Sequence, residues 1–429
     1  MKRFSLIKTI LSTVLIVSCS NSIKSEPDED GGSNLKQESS ADQVQNGFWK
    51  DPNLNYISTE WPVDEDDLII WDVPELEKAF IDTAPMNRND GLVAGELGVD
   101  SGNKDIILKL AQEIADGQHD KIDSLLIAHK GKLIFESYYK RGRLNLTHPQ
   151  ASATKSYTGV ALGRAIQLGY LTMADLDKPV ISFLEGVDRT KLVKGAELVT
   201  LHQALTMRTG IHISKEQHEN FEKYPSEIKG QKFVQAIFEH TTPITTETQS
   251  AFIYGNYSTP LVMQVIEAIV PGTAEDFIEN ELLGKMDIAT YSWRIGLGGL
   301  PAAGWKSSIT SRDMMKFGSL AMNKGKWNGV QLVPEAFMAK ANSRLLYNGD
   351  DDIFGGGKDV SNQGYGYFMW SGDLHYDDKS YFSTSTQGGG GQYIILIEEL
   401  DLIVVTTGHE RHPSTLQLTA ERILPAFIQ

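Results

Sequence analysis

Two apolar hairpin signals stand far apart in the chain, and placing them in one fold is its strongest constraint. The first runs Ile122–His129, a Lys130-Gly131 turn, then Leu133–Tyr139; the second pairs Gln392–Ile397 with Leu402–Thr407 around the acidic turn Glu398-Glu399-Leu400-Asp401. Short apolar runs bounded by turn residues read as strands. The segments between them read as helices and loops. The expected class is therefore α+β: one antiparallel sheet from both chain ends, with flanking helices and a helical subdomain carried as an insertion.

Within this frame a helical pattern runs through Ile106, Ile107, Leu110 and Ile114 after the possible caps Ser101 and Asn103. A second helix is expected over Ser152–Leu171, rich in small residues (Ala153, Gly159, Ala161, Gly163, Ala165), and a last one over Pro413–Ile428. The folded domain is expected over 47–429, since aromatic residues begin at Phe48-Trp49. No internal repeat is visible. A chain of 429 residues can bury a large core. Its 40 Lys+Arg against 56 Asp+Glu give a formal charge of −16, which argues against a nucleic-acid partner. The longest basic run is Lys2-Arg3.

The first residues read as an address. Lys2, Arg3 and Lys8 precede the mostly apolar stretch Ile10–Val17, too short for a membrane span but suited to a signal peptide over 1–18. Ile16-Val17-Ser18-Cys19 resembles the lipobox of bacterial lipoproteins, which implies lipid attachment at Cys19, the single cysteine of the chain. Residues 19–46 are Ser, Asn, Asp, Glu and Gly with little apolar surface to bury, as in a disordered tether. An exported, membrane-anchored protein is expected, on the periplasmic or cell-surface side.

Three segments could carry chemistry. Ser152-Ala153-Thr154-Lys155 places an amine and a hydroxyl on one helix face, and a desolvated neutral lysine can take a serine's proton. The chain holds five Ser-x-x-Lys matches, beginning at Ser5, Ser33, Ser101, Ser152 and Ser226. Only Ser152 opens an apolar, small-residue helix, whose N-terminus would also favour developing negative charge. Tyr254-Gly255-Asn256 can point a proton-shuttling phenol and an orienting amide the same way. The run Gln387-Gly388-Gly389-Gly390-Gly391-Gln392 lets backbone approach a ligand closely. His409-Glu410-Arg411-His412 is one residue short of a zinc motif and is followed by Pro413, so no metal site is expected there. Asp175 and Asp177 read as caps or turn residues, Asn145-Leu146-Thr147 as a sequon in form only, and His202 as a solvated helix start.

Taken in order, Ser-Ala-Thr-Lys-Ser (152–156), Leu-Thr-Met-Arg-Thr-Gly (205–210), Tyr-Gly-Asn (254–256) and Gly-Gly-Gln-Tyr (390–393) resemble the serine β-lactamase and penicillin-binding superfamily. Within it, the likeness is to class C β-lactamase-like esterases and amide hydrolases, and Gly304–Gly318 extends it. The resemblance implies a β-lactamase-like fold over roughly 120–429 and a serine hydrolase working without metal or organic cofactor on a small ester or amide. It also implies Ser152 as the acylated nucleophile and Lys155 and Tyr254 as the proton-transfer pair. Asn256, Gln387, Gly388 and Gly389 would bind substrate. The Ser152 N–H, with one from the strand expected to begin near Gly388, would form an oxyanion hole.

One departure bears on substrate. The superfamily's third motif is usually Lys-Thr-Gly or His-x-Gly, whereas Ser383-Thr384-Ser385-Thr386-Gln387-Gly388 has neither Lys nor His. Uncharged short-chain esters or neutral amides are therefore expected to be preferred, unless Arg208, Lys306 or Arg312 replaces the cation. The alternatives are a β-lactamase or D-alanyl-D-alanine carboxypeptidase, and a catalytically silent binding protein on the same fold. Nothing in the sequence indicates an oligomeric state. Cys19→Ala should abolish labelling by a fatty-acid probe and move the protein out of the membrane fraction. Continued labelling would contradict the lipobox.

Overall fold

The structure, a computed structural model, describes residues 73–350 and 353–428. The expected signal segment, Cys19 and the tether lie outside the described residues. No helix among the described residues is long and apolar enough to cross a membrane.

The two hairpins meet in one sheet. β1 (Phe80–Asp82), β2 (Ile122–His129) and β3 (Lys132–Tyr138) come from the first part of the chain. β4 (Leu346–Gly349), β5 (Val360–Tyr365), β6 (Trp370–Tyr376), β7 (Lys379–Gly388), β8 (Gln392–Ile397) and β9 (Leu402–Gly408) come from the last. The nine strands lie in the order β1-β3-β2-β9-β8-β7-β6-β5-β4. The join is the antiparallel pair β2–β9, running from His129 opposite Leu402 to Ile122 opposite Gly408. Between β2 and β3, Lys130 and Gly131 both have positive φ (50° and 74°), the conformation a two-residue type I′ hairpin needs.

Both faces of the sheet are covered. Successive side chains of a strand point to opposite faces. Leu125 and Ile127 of β2 join the cluster beneath α1 (Lys104–Ala115) and the C-terminal helical segment, whereas Leu126 and Ala128 join the larger cluster beneath the helical insertion. That insertion contains α2 (Thr154–Gln167), α3 (Ser258–Ile269), α4 (Ser311–Met322) and several shorter helices. The α+β reading with a β-lactamase-like layering is what the structure has.

Element ends differ from expectation in three places. Asn103 alone caps α1, accepting from the N–H groups of Asp105 and Ile106. Ser152 belongs to a 3₁₀ turn, Ala151–Ala153, and α2 runs only from Thr154 to Gln167. It stops there because Gly169 turns left-handed (φ 83°), and the Gly169 and Tyr170 N–H groups bond back to Ile166 and Ala165. The expected helix over Pro413–Ile428 is an α turn at Thr415–Leu418, a π segment at Thr419–Ile423 and a 3₁₀ turn at Leu424–Ala426. Pro425 supplies no N–H to continue a regular ladder.

A buried ion network ties the insertion to the sheet. Arg312 on α4 donates from Nη1 to Glu136 Oε2 on β3 (2.8 Å) and from Nε to Asp90 Oδ2 (2.7 Å), and the Tyr138 hydroxyl donates to Glu136 Oε1 (2.7 Å). Glu136 is 1% exposed. Arg312 is thus committed to the fold and does not replace a substrate-facing cation. Arg312→Ala should cost about 3–5 kcal/mol in denaturant unfolding, because it strands a buried carboxylate. Adding Glu136→Gln should recover part of that loss. Equal stability of wild type and single variant would contradict this role.

Candidate active site

The segment before Ser152 is clamped into an uncommon shape. Ala151 has φ 46°, in the left-handed region that non-glycine residues seldom occupy. Gln150 holds it from several sides: its N–H donates to Ser307 O (2.8 Å), its Nε2 to His148 O (2.8 Å), and its Oε1 accepts from the Tyr157 hydroxyl (2.7 Å). The turn therefore presents Ser152 at the entrance to α2. Gly163 on that helix has no room for a Cβ, which would come within 2.6 Å of Val333 and 2.9 Å of Phe337. The small residues thus let α2 pack in the middle of the fold.

Lys155 lies one turn on, 1% exposed. Its Nζ is 3.2 Å from Ser152 Oγ, 2.9 Å from Asn256 Oδ1 and 2.9 Å from Gly304 O, and stands over the Tyr254 ring at 4.9 Å from its centroid. These partners carry no full negative charge. Burial therefore dominates and lowers the Lys155 pKa to about 8. A neutral amine can donate two hydrogens to Asn256 and Gly304 and turn its lone pair toward the Ser152 hydroxyl.

Tyr254 closes the other side. Burial raises its phenol pKa, and hydrogen bonds with Ser152 and Trp370 oppose that shift. Tyr254 as a residue is 38% exposed, while its hydroxyl reaches Ser152. Trp370 (centroids 5.0 Å) and Tyr365 (6.2 Å) pack against it. Ser152, Lys155, Tyr254 and Asn256 thus come together from segments about 100 residues apart. Gly304 joins them unpredicted as an acceptor. A Cβ there would lie 3.1 Å from Asn256 Oδ1 and 3.5 Å from Lys155 Nζ. Its strap is held by Thr158, which donates to Ala303 O (2.8 Å).

The glycine run is a braced turn. Gly388 ends β7, and the next strand starts at Gln392, so no strand begins at Gly388. Gly390 and Gly391 have φ 99° and 105°, which side chains disfavour. Gln392 Nε2 donates to Gly408 O (2.7 Å) and Gly389 O (3.2 Å), and the Glu410 N–H donates to Gly390 O (3.0 Å). Gly388 sits against the turn that carries Ser152, where a Cβ would be 2.2 Å from Gln150 O.

The Gln387 side chain does not join this cluster. Ser385 and Gln387 stand opposite Ile395 and Tyr393, on the face beneath α1, and Gln387 Nε2 donates to Ser385 Oγ (2.9 Å). The face toward the insertion carries Thr384 and Thr386, opposite Leu396 and Ile394. Of the other candidate cations, Arg208 Nε donates to Gln249 O (3.1 Å), and Lys306 lies over the Trp305 ring at 4.6 Å.

The remaining polar candidates take structural places. Asp175 forms a capping box with Thr172. His202, expected in solvent, is half-buried with Nδ1 2.9 Å from the Tyr367 hydroxyl. His409 and His148 both meet the buried Asp123: His409 Nδ1 at 2.8 Å and His148 Nε2 at 3.1 Å from Oδ2. These hydrogen bonds outweigh burial and hold the Asp123 pKa near 2. One carboxylate thereby ties the end of β9 to the segment leading into Ser152. Among the described residues no group of three or more His, Cys, Asp and Glu is arranged to hold a metal ion.

Comparison with known proteins agrees with this architecture. The family model described as Beta-lactamase matches residues 110–426. No curated protein matches the sequence. An octameric penicillin-binding protein homologue from Pyrococcus abyssi superposes with a TM-score of 0.53 at 18% identity, over 77% of this chain and 78% of its own. A D-stereospecific amidohydrolase from Streptomyces sp. gives 0.51 at 14% identity over 73% and 97%, and a class C β-lactamase 0.54 at 14% over 76% and 96%. At such identities the likeness is one of fold, and the family match carries the assignment: the chain belongs to the β-lactamase family of serine hydrolases.

Proposed function

We propose that the protein cleaves an ester or amide bond through an acyl-enzyme on Ser152. The observation that carries this reading is the buried Lys155 amine, 3.2 Å from the Ser152 hydroxyl and without a carboxylate partner among its three hydrogen bonds. A lysine held partly neutral near pH 8 can accept the serine proton. The Ser152 oxygen then attacks the substrate carbonyl carbon. The proton passes through Lys155 and Tyr254 to the leaving alcohol or amine as its bond to the carbonyl breaks. Water, deprotonated by the same pair, attacks the acyl-enzyme, releasing the carboxylic acid and restoring Ser152. N–H groups of Ser152 and of the adjoining glycine turn are the donors suited to the developing oxyanion. Asn256, its oxygen engaged by Lys155, keeps its amide N–H groups for substrate. The sequence of residues 1–19 supports a place for this reaction at a membrane surface.

Uncharged substrates fit best. The β7 face toward the insertion offers Thr384 and Thr386, and Arg312 is paired with Asp90 and Glu136. A charge-assisted hydrogen bond contributes about 1.5–3 kcal/mol, or roughly one to two powers of ten. A neutral acyl ester should therefore have a higher kcat/KM than a cephalosporin. A cephalosporin preference would transfer the reading to a β-lactamase, with Lys306 the first residue to test.

The pH profile follows from Lys155. Its depressed pKa makes the base available as pH rises, so kcat/KM should climb with unit slope and level off above about 8. Ser152→Ala should abolish turnover, and Lys155→Ala should lower it about 10²–10⁴-fold. Full activity in either variant, or a flat profile through pH 8, would contradict the mechanism.

A further inference from the structure

Beside the catalytic cluster lies a cavity of about 660 Å³. Its inner end is formed by Tyr254, Asn256 and Gly304, the same groups that surround the Lys155 amine. Its walls are mainly apolar, with Ile211, Phe233 and Leu300 from three separate segments. Around the mouth, Ile253 is 44% and Trp305 52% exposed, large apolar side chains that a folded chain ordinarily covers. Polar groups are present, including Lys215, His218 and Glu222. His218 is occupied, with Nδ1 2.7 Å from the Tyr257 hydroxyl and Nε2 3.4 Å from Glu222.

From this geometry we infer that the cavity is an acyl pocket, and that the preferred substrates are uncharged esters or amides of medium-chain aliphatic or comparably bulky apolar acids. The inference rests on the acyl-enzyme reading and replaces the expectation of short-chain substrates. A cavity of this size, mostly apolar in surface but with polar groups that include Lys215, Glu222 and Lys306, suits a small molecule. An acetyl group would leave most of the wall in contact with water. The acyl part is the better occupant than the leaving group, because it stays attached to Ser152 through both half-reactions. Apolar contacts made there remain available in both transition states. A separate opening of about 460 Å³ borders Ala151, next to Ser152, and is lined also by Gly389, Lys121 and Arg411. It gives a second, separate route for a departing alcohol or amine and for incoming water.

The test uses the full chain and two ester series. In one the acid lengthens from acetate through butyrate and hexanoate to octanoate with a constant alcohol. In the other the acid is acetate and the alcohol lengthens. Each methylene buried in the pocket should raise kcat/KM about fourfold in the acyl series, the equivalent of ~0.8 kcal/mol. The alcohol series should stay level within about threefold. Leu300→Trp and Leu297→Trp, which fill part of the cavity, should lower the ratio of octanoate to acetate kcat/KM at least about tenfold. A level acyl series, or a length dependence confined to the alcohol, would overturn the inference. A fluorophosphonate probe separates the two layers of the reading. Labelling of Ser152 with a level acyl series removes the acyl pocket alone. Absence of Ser152 labelling removes the acyl-enzyme reading and the pocket with it.

Discussion

An amine buried without a counter-charge is the constraint around which this molecule is arranged. Lys155 is 1% exposed, yet its partners are a hydroxyl, an amide oxygen and a backbone carbonyl. A carboxylate in their place would hold the proton on the amine. Burial alone instead brings the Lys155 pKa to about 8. The arrangement opposes stability below that pH, where charging the amine means charging it in the interior. The fold absorbs that through the surrounding core. The proposed chemistry at Ser152 needs the amine in this state.

Keeping it so requires three distant segments to stay in register. The Ser152 turn is braced by Gln150 and Tyr157, the Tyr254 loop by the Trp370 and Tyr365 rings, and the Gly304 strap by Thr158. The sheet supplies the common base, because β2–β9 pairing joins the two ends of the folded region and Asp123 bonds outward from it to His148 and His409. The glycine turn is packed against Gln150 closely enough that Gly388 tolerates no side chain. A mainly apolar cavity lies next to the same cluster, and a separate opening borders Ala151.

The parts of this arrangement legible in the sequence were those carried by local signals. The Lys130-Gly131 turn and the apolar runs around it describe a hairpin without tertiary knowledge, and the acidic turn before Leu402 does the same. Asn103 outranks Ser101 as a cap only once the helix start is fixed. Strands β4 to β6 went unread because they are polar and irregular: Val360–Tyr365 is Val-Ser-Asn-Gln-Gly-Tyr, with a register shift between Ser361 and Gly364. Gln387, expected to bind substrate, has its side chain on the face beneath α1, which went unread for a related reason. A strand's parity follows from its partner's register, and a glycine run does not reveal where pairing ends. The Gly304 carbonyl, Trp370 and the Asp123 pair of histidines were hidden because each depends on contacts between residues far apart in sequence. Asp123 and His409 are separated by 286 positions.

Ser152 is proposed to carry the acyl group during turnover. Quenching the protein with acid while it turns over an activated acyl ester, then digesting it and weighing the peptides, observes that species directly. The account predicts one added acyl mass on the peptide containing Ser152, absent from the Ser152→Ala variant. An unmodified Ser152 peptide during active turnover, or an acyl group mapped to another residue, would contradict it.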